Sequence, residues 1–546
     1  MAIRVPALVL LTAATALAQA PPGFKTYENK LSKLTFWYPT AYKEVPLPPT
    51  EQVLVAKFVL KKTPRELRKL DKRLVKAANM QVSVFLFDTG TAPVTTGGNG
   101  TNEGGGTKER GPSTVREAME KRSRVTSWEQ FQQRLGWPLS ADAGDKDAFQ
   151  MGPRRFTREH LVFGRLVRKQ VGGKVYGVYG HTIEPHKDKL DKIIDTVAKS
   201  LELCDLSVST DAATSRIDRI YRRSKYGAIP WRKKIRSRLA KGWHAVDTDN
   251  YLIVHHTKNK GLIRNIARDI EAMRTFYMGL FPPSGKVDKV SVLRLCATKD
   301  EYHQYGGPPN TGGYWHPGNE ELVLFDYSYT QKTMSAQQKE AMGGRKLSSK
   351  DSMLVLRHEA FHQYIFYAIG EFSPHDWFNE GYGDYFSGAV VHPNTGRVRH
   401  IDPSPWRIHR AKDMCEHGTG FLPLQKILKA ERAVFYNRSR VADYYAGAWS
   451  FVYFLKESKE AAAHPQWSKM LSTYFNGVKD HYQRELKQAG AKPNLRDKQV
   501  AGFKARKKAL DETLKGIDLP ELEEVWRKWV VDMKDPWPSL RKKRKK

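Results

Sequence analysis

The residues best able to do chemistry lie between positions 354 and 385. His358-Glu-Ala-Phe-His362 falls inside an apolar stretch, Leu354 to Ile369, whose pattern predicts a helix. Four-residue spacing on a helix places two side chains on one face, one turn apart, so His358 and His362 can bind the same ion. Glu359 then stands beside that ion. Zinc suits such a set because it accepts imidazole nitrogen, tolerates four ligands with one position open, and lowers the pKa of its bound water to about 7. A carboxylate next to that water can act as general base and pass the proton to a leaving amine.

A third ligand is expected from Trp377-Phe-Asn-Glu-Gly381, in which Glu380 follows His362 by 18 residues. Gly370 and Ser373-Pro374 break the first helix, and a second one beginning near Trp377 brings the carboxylate back to it. Asp384 lies four residues on, along the same helical face as Glu380. It is placed to accept the outer N–H of a metal-bound imidazole, and its expected partner is His358. A single histidine on an apolar helix is ordinarily a satisfied core residue, and a single Glu before Gly an acid of a first helical turn. Three such residues at matched spacing, with Asp384 behind them, read as one site for one Zn2+ ion.

The pattern His-Glu-x-x-His, with Glu 18 residues later and Asp four beyond, resembles that of the gluzincins, the thermolysin and aminopeptidase N-like zinc peptidases. His358-Glu-Ala-Phe-His-Gln363 and Trp377-Phe-Asn-Glu-Gly-Tyr-Gly-Asp-Tyr385 are similar to the exported bacterial peptidase-MA-like proteins. The resemblance spans residues 246–535 and its motif about 30 of them. It implies a thermolysin-like zincin catalytic domain with a mostly helical C-terminal half, acting on a peptide or protein substrate. It also implies a tyrosine whose hydroxyl stabilises the tetrahedral oxyanion. The segment Tyr445-Ala-Gly-Ala-Trp-Ser-Phe-Val-Tyr-Phe-Leu455 is similar to the helix that carries it, which assigns Tyr445, with Tyr444 as the rival. The Gly-x-Met-Glu-Asn segment of the aminopeptidases has no counterpart: Gly312 to Phe325 holds Asn319, Glu320 and Glu321 instead, so aminopeptidase specificity does not transfer. The strand Glu321 to Phe325 is the expected place for an extended peptide to add as a further strand, unless it is an ordinary edge.

Elements on either side must position this motif. The chain has 546 residues, which predicts about two to four domains. Residues 1–18 carry Arg4, the apolar run Ala7 to Leu17 and the small-residue site Ala16-Leu17-Ala18, the three parts of a secretory signal peptide. No later stretch approaches the length of a membrane span, so the expected location is periplasmic or extracellular. Residues 19–203 read as an α+β domain, sandwich-like, with strands at Leu34 to Tyr38, Val53 to Leu60 and Gln81 to Phe87 and a helix over Lys187 to Leu203. Its Phe36-Trp-Tyr-Pro39 strand and terminal helix resemble secreted PsbP-type domains. Residues 88–113, rich in Gly, Thr and Asn, read as a flexible insertion. Residues 204–245 read as a basic linker, within which Arg222 to Lys241 holds nine Lys or Arg and no acid; a solvated helix is favoured over a polyanion-binding stripe. In 246–535 the strands Tyr251 to His256, Val290 to Leu295 and Glu321 to Phe325 alternate with helices Leu262 to Leu280 and Lys299 to Tyr305, with a turn at Gly312 to Trp315. Residues 536–546 form a basic tail. The fold class is therefore α+β.

A formal charge of +34 with 11% aromatic residues excludes a disordered polycation. Three cysteines, Cys204, Cys296 and Cys415, exclude a disulfide scaffold. The two densest basic runs lie outside the zinc motif, so the charge points to retention on an anionic envelope or matrix polymer and not to nucleic acid as the substrate. The rival to a peptidase is a non-catalytic zinc-containing envelope protein that binds polyanions. A weaker one is attack of the zinc-bound water on a non-peptide amide or ester.

Overall fold

A computed structural model describes residues 19–29, 32–51, 53–62, 81–87, 114–123, 128–155, 161–204, 207–333 and 346–536. The expected signal segment 1–18, the expected insertion 88–113 and the expected tail from 537 onward lie outside them. The chain is α+β, sheet-rich at its N-terminal end and helical in its C-terminal half. It forms two compact units, the first within Met1–Glu44, Val55–Thr89 and Ser127–Thr210, the second within Val45–Leu54, Gly90–Thr126 and Asp211–Lys546. The chain thus passes between units several times, where the sequence suggests a single passage near 203.

In the first unit a sheet of seven strands runs Tyr42–Glu44, Leu54–Leu60, Gln81–Phe87, Lys174–Ile183, Leu161–Val171, Asp145–Arg155, Leu139–Asp142, and is antiparallel from Gln81–Phe87 onward. Leu190, Ile194 and Val197, at helical spacing, bury against Phe36, Phe58, Val84 and Val178. Their helix, Lys187–Lys199, is shorter than its apolar pattern predicts. The Ser200 hydroxyl donates to Val197 O and accepts from Trp37 N–H, which ends the helix and turns Glu202–Leu203 into a short strand beside Leu34–Pro39.

The second unit takes up helix α1 (Val115–Ser123) and continues with α2 (Ile229–Ser237), β1 (His244–Asp247), β2 (Tyr251–His255), α3 (Lys260–Leu280), β3 (Ser291–Cys296), β4 (Gly313–His316) and β5 (Glu321–Phe325). Sheet order is β1-β2-β3-β5-β4, with β2, β3 and β5 parallel and the two outer strands antiparallel. Alternation explains the continuous apolar runs. Ile253, Leu293, Leu322 and Leu324 face α3 and α4 (Ser349–Ile369), while Leu252, Val254, Val323 and Phe325 face Ile235, Trp243 and Tyr302, so the sheet is covered on both sides.

Two expectations change here. The stretch Gly312 to Trp315 is not a turn but the edge strand β4, and β5, expected to receive a peptide, lies between β3 and β4 with both edges taken. Among the described residues the outer strands of the sheet are β1 and β4, and β4 is the one beside β5. The basic linker is solvated only in part, with Arg222, Arg223, Lys225, Arg238 and Lys241 exposed. Trp231, Ile235, Ala240 and Trp243 join the core, and all five N–H groups of the fully buried Arg232 are spent: on Gly227 O, Asp247 Oδ1, Tyr251 O, Thr248 O and Asp249 O, at 2.8–2.9 Å. Asp247 also accepts from Arg236 and from the Tyr221 hydroxyl.

Beyond β5, α4 begins at a capping box of Ser348 and Asp351 and ends at Gly370, φ +111°. It is followed by α5 (Asp376–Ser387), buried along its whole length, and by α6 (Val441–Glu457). Among the described residues no helix is long and apolar enough to cross a membrane. Because Asp247 neutralises two arginines, one with no solvent contact, Asp247→Ala is expected to cost about 3 to 5 kcal/mol of unfolding free energy, measured by urea denaturation.

Candidate metal centre

Helices α4 and α5 bring three ligand atoms together. His358 Nε2 lies 2.9 Å from His362 Nε2 and 3.2 Å from Glu380 Oε2, and His362 Nε2 lies 3.4 Å from the same oxygen. A tetrahedral ion with bonds of about 2.05 Å has ligand–ligand edges of about 3.3 Å, so this triangle has the size zinc requires. Among the described residues these three form the one cluster of His, Cys, Asp or Glu able to hold a metal ion. A glycine makes the approach possible. A Cβ on Gly383 would lie 2.8 Å from His358 Cε1, and one on Gly381 2.7 Å from Ala448 O of α6, so α5 fits between α4 and α6 only without side chains there.

Each ligand has an outer partner. His358 Nδ1 and Asp384 Oδ1 are 3.2 Å apart, the pairing expected from the four-residue step after Glu380. His362 Nδ1 is 3.0 Å from Asn379 Oδ1, and the Tyr436 hydroxyl donates to Glu380 Oε1 at 2.5 Å. With both Nδ1 atoms turned toward oxygen atoms, the two Nε2 atoms converge on one point. Two imidazole lone pairs at 2.9 Å repel unless a cation or proton lies between them.

The electrostatics follow from that convergence. Burial opposes charge on His358, but hydrogen bonds to Asp384 and Glu380 outweigh it and hold its pKa well above the ordinary range. Burial would raise Glu380, yet His362 and His358 pull it well below the usual carboxylate range. Asp384 is likewise lowered against its burial, chiefly by Arg407, whose Nε donates to Asp384 Oδ2 at 2.5 Å. Glu359 differs. Burial raises its pKa despite both histidines, and the Trp315 main chain acts weakly in the other direction.

Tyr445 and Tyr444 separate clearly. Tyr445 has its electrostatic partners in Glu380, Arg407 and Asp384, and the Arg407 guanidinium stacks 4.5 Å from its ring centroid. Tyr444 is buried, its ring 5.2 Å from that of Phe435. Asn319, Glu320 and Glu321 stand apart from the triad. Glu321 is fully buried and accepts from Arg294 Nε at 2.6 Å and from the Tyr305 hydroxyl.

Tyr436, Arg407, Asn379 and Trp315 are additions to the residues expected from sequence. Tyr436 and Arg407 reach the site at the ends of short helices, Arg432–Phe435 and Ile408–His417, whose spacing from α4 carries no register. Asn379 does have a sequence sign, since it directly precedes Glu380. No protein-family model matches the chain, and no curated protein matches it either.

The start of α5 is pH-sensitive. His375, the residue before it, is buried; Tyr474 hydroxyl meets its Nδ1 at 2.7 Å and accepts from its main-chain N–H at 2.9 Å. Burial, reinforced by Arg506, pushes its pKa down from 6.5 to about 3. The neutral form is therefore favoured by folding: this stability is complete above 6.5 and is lost as pH falls toward 3, by up to about 1.4 kcal/mol per unit. Thermal melts between pH 7 and 4 are expected to fall less steeply for His375→Gln than for the wild type.

Proposed function

We propose that this protein is an exported zinc-dependent peptidase of gluzincin type. The observation that carries the reading is the convergence of His358, His362 and Glu380 on one point, with Glu359 on the next position of the same helix. Zinc held by these three residues would supply Lewis-acid activation of water and of the scissile carbonyl. Glu359 takes the proton of the attacking water and delivers it to the leaving amine. The Tyr445 hydroxyl donates to the developing oxyanion, in a neutral form that burial, foremost, and Glu380 favour. Asp384 and Asn379 fix the imidazole rings, and Tyr436 occupies one carboxylate oxygen of Glu380 so that the other faces the ligand point. An extended peptide adds at the outer edge of β4, whose Gly313 main chain runs close to Glu359.

Glu359→Gln is expected to retain one zinc per chain by atomic emission and to lower kcat/KM on a mixed peptide library by about 100- to 10,000-fold. Undiminished cleavage would remove Glu359 from the mechanism.

A second reading, a zinc-containing envelope protein that binds polyanions, rests on a surface cavity of about 650 Å3 lined by Arg219, Arg222, Arg223 and Lys225, with Asp249 the one acid. Retention on heparin that drops steeply with salt, and drops further in Arg222→Glu/Arg223→Glu, is the outcome expected of it, alongside no cleavage by the wild type.

A further inference from the structure

Two stretches from the N-terminal part of the sequence belong to the second unit, Val45–Leu54 and the described part of Gly90–Thr126. Both reach the same place, the turn 317–320 that joins β4 to β5. From the first stretch, the Thr50 hydroxyl donates to Asn319 Oδ1 at 2.7 Å in a buried contact. From the second, Arg116 of α1 meets Glu320 Oε2 at 3.0 Å while its guanidinium lies 4.0 Å from the Trp231 ring centroid. Met119 covers Gly318 so closely that a Cβ there would be 2.3 Å from its Cγ.

Glu320 needs these partners. It is 4% exposed and its φ is +50°, a left-handed conformation that a residue with a Cβ adopts only when its surroundings hold it. Lys289 is the other cation near it, at 3.7 Å. A buried carboxylate deprived of its closest partner moves toward water, and the backbone that carries it is then free to leave φ +50°.

The consequence reaches the site through β4. Among the described residues this strand has one strand neighbour, β5, so the turn fixes one end of it and little else in the sheet does. The β4 main chain passes so close to Glu359 that a Cβ on Gly313 would be 3.3 Å from Glu359 Cγ. We propose that Arg116 is a positioning residue for the metal centre: through Glu320 it fixes the turn, the turn sets β4, and β4 sets both the Glu359 carboxylate and the strand edge offered to a peptide. The last role rests on the peptidase reading; the fixing of β4 does not. The N-terminal part of the chain is then a builder of the site and not a spacer before it.

The test uses the full-length, zinc-loaded protein as wild type, Arg116→Met and Arg116→Lys. Hydrogen exchange by mass spectrometry is expected to be about tenfold faster over residues 313–320 in Arg116→Met, with residues 352–366, zinc content and melting temperature unchanged. With fluorescein-labelled casein, KM is expected to rise about tenfold and kcat to fall less, with most of the loss restored by Arg116→Lys. Unchanged exchange over 313–320 overturns the proposal, and faster exchange with unaltered kinetic constants overturns its link to the site. If wild type binds zinc and cleaves neither casein nor the peptide library, the peptidase reading fails while exchange still decides the role of Arg116. If Arg116→Met does not fold, Thr50→Val loosens the same turn through Asn319 and is held to the same two measurements.

Discussion

The close approach of α5 to α4 is the constraint on which the rest of the site depends. Glycine at 383 lets the second helix touch the His358 ring, and glycine at 381 lets its other side reach the α6 backbone. A helix clamped in this way, with every residue buried, has little freedom to rotate. Glu380 and Asp384, one turn apart on it, therefore arrive at the two nitrogens of a single imidazole: Glu380 at Nε2 and Asp384 at Nδ1. Larger residues at 381 or 383 would separate the helices and the ligand atoms together.

Around that contact each ligand is oriented by a different neighbour, and each neighbour comes from a different part of the chain. Asp384 is held by Arg407, which also lies over Tyr445, so one guanidinium spans the group that orients a ligand and the group proposed to meet the oxyanion. Tyr436 is held toward Glu380 from the opposite loop, where Arg432 lies 4.7 Å from its ring centroid and pairs with Asp376. On the remaining side stands β4, an edge strand whose main chain passes close to Glu359. Edges are ordinarily blunted because they recruit other strands; among the described residues β4 pairs with β5 alone.

The large positive charge is distributed in two ways. Some cations are structural: Arg232 and Arg236 on Asp247, Arg294 on Glu321, all in or near buried pairs. Their removal would be felt as instability and not as lost binding. Others, at Arg219, Arg222, Arg223 and Lys225, line one open cavity and make no ion pair among the described residues. A run of basic residues in the sequence thus contains both kinds, and counting charges does not separate them.

By itself the sequence determined the chemistry on offer and the elements that carry it. His358, Glu359 and His362 are a helical repeat, Glu380 and Asp384 another, and spacing within one helix is fixed by 3.6 residues per turn whatever surrounds it. The strands Gln81–Phe87 and Glu321–Phe325 and the helix Lys299–Tyr305 are legible for the same reason, since each is a local pattern. Tertiary structure decided what local pattern cannot encode. It put the Tyr445 ring under Arg407 and the Tyr444 ring against Phe435, because adjacent residues on a helix point about 100° apart and only packing says what each meets. It put β4 and not β5 at an outer edge, because strand order is a long-range pairing. It buried Arg232 of the basic linker by supplying Asp247 and the carbonyls of Thr248, Asp249 and Tyr251 from the strands that follow, and it brought Tyr436 and Arg407 to the ligand cluster and Arg116 to the turn before β5, from which their distance in sequence gives no register.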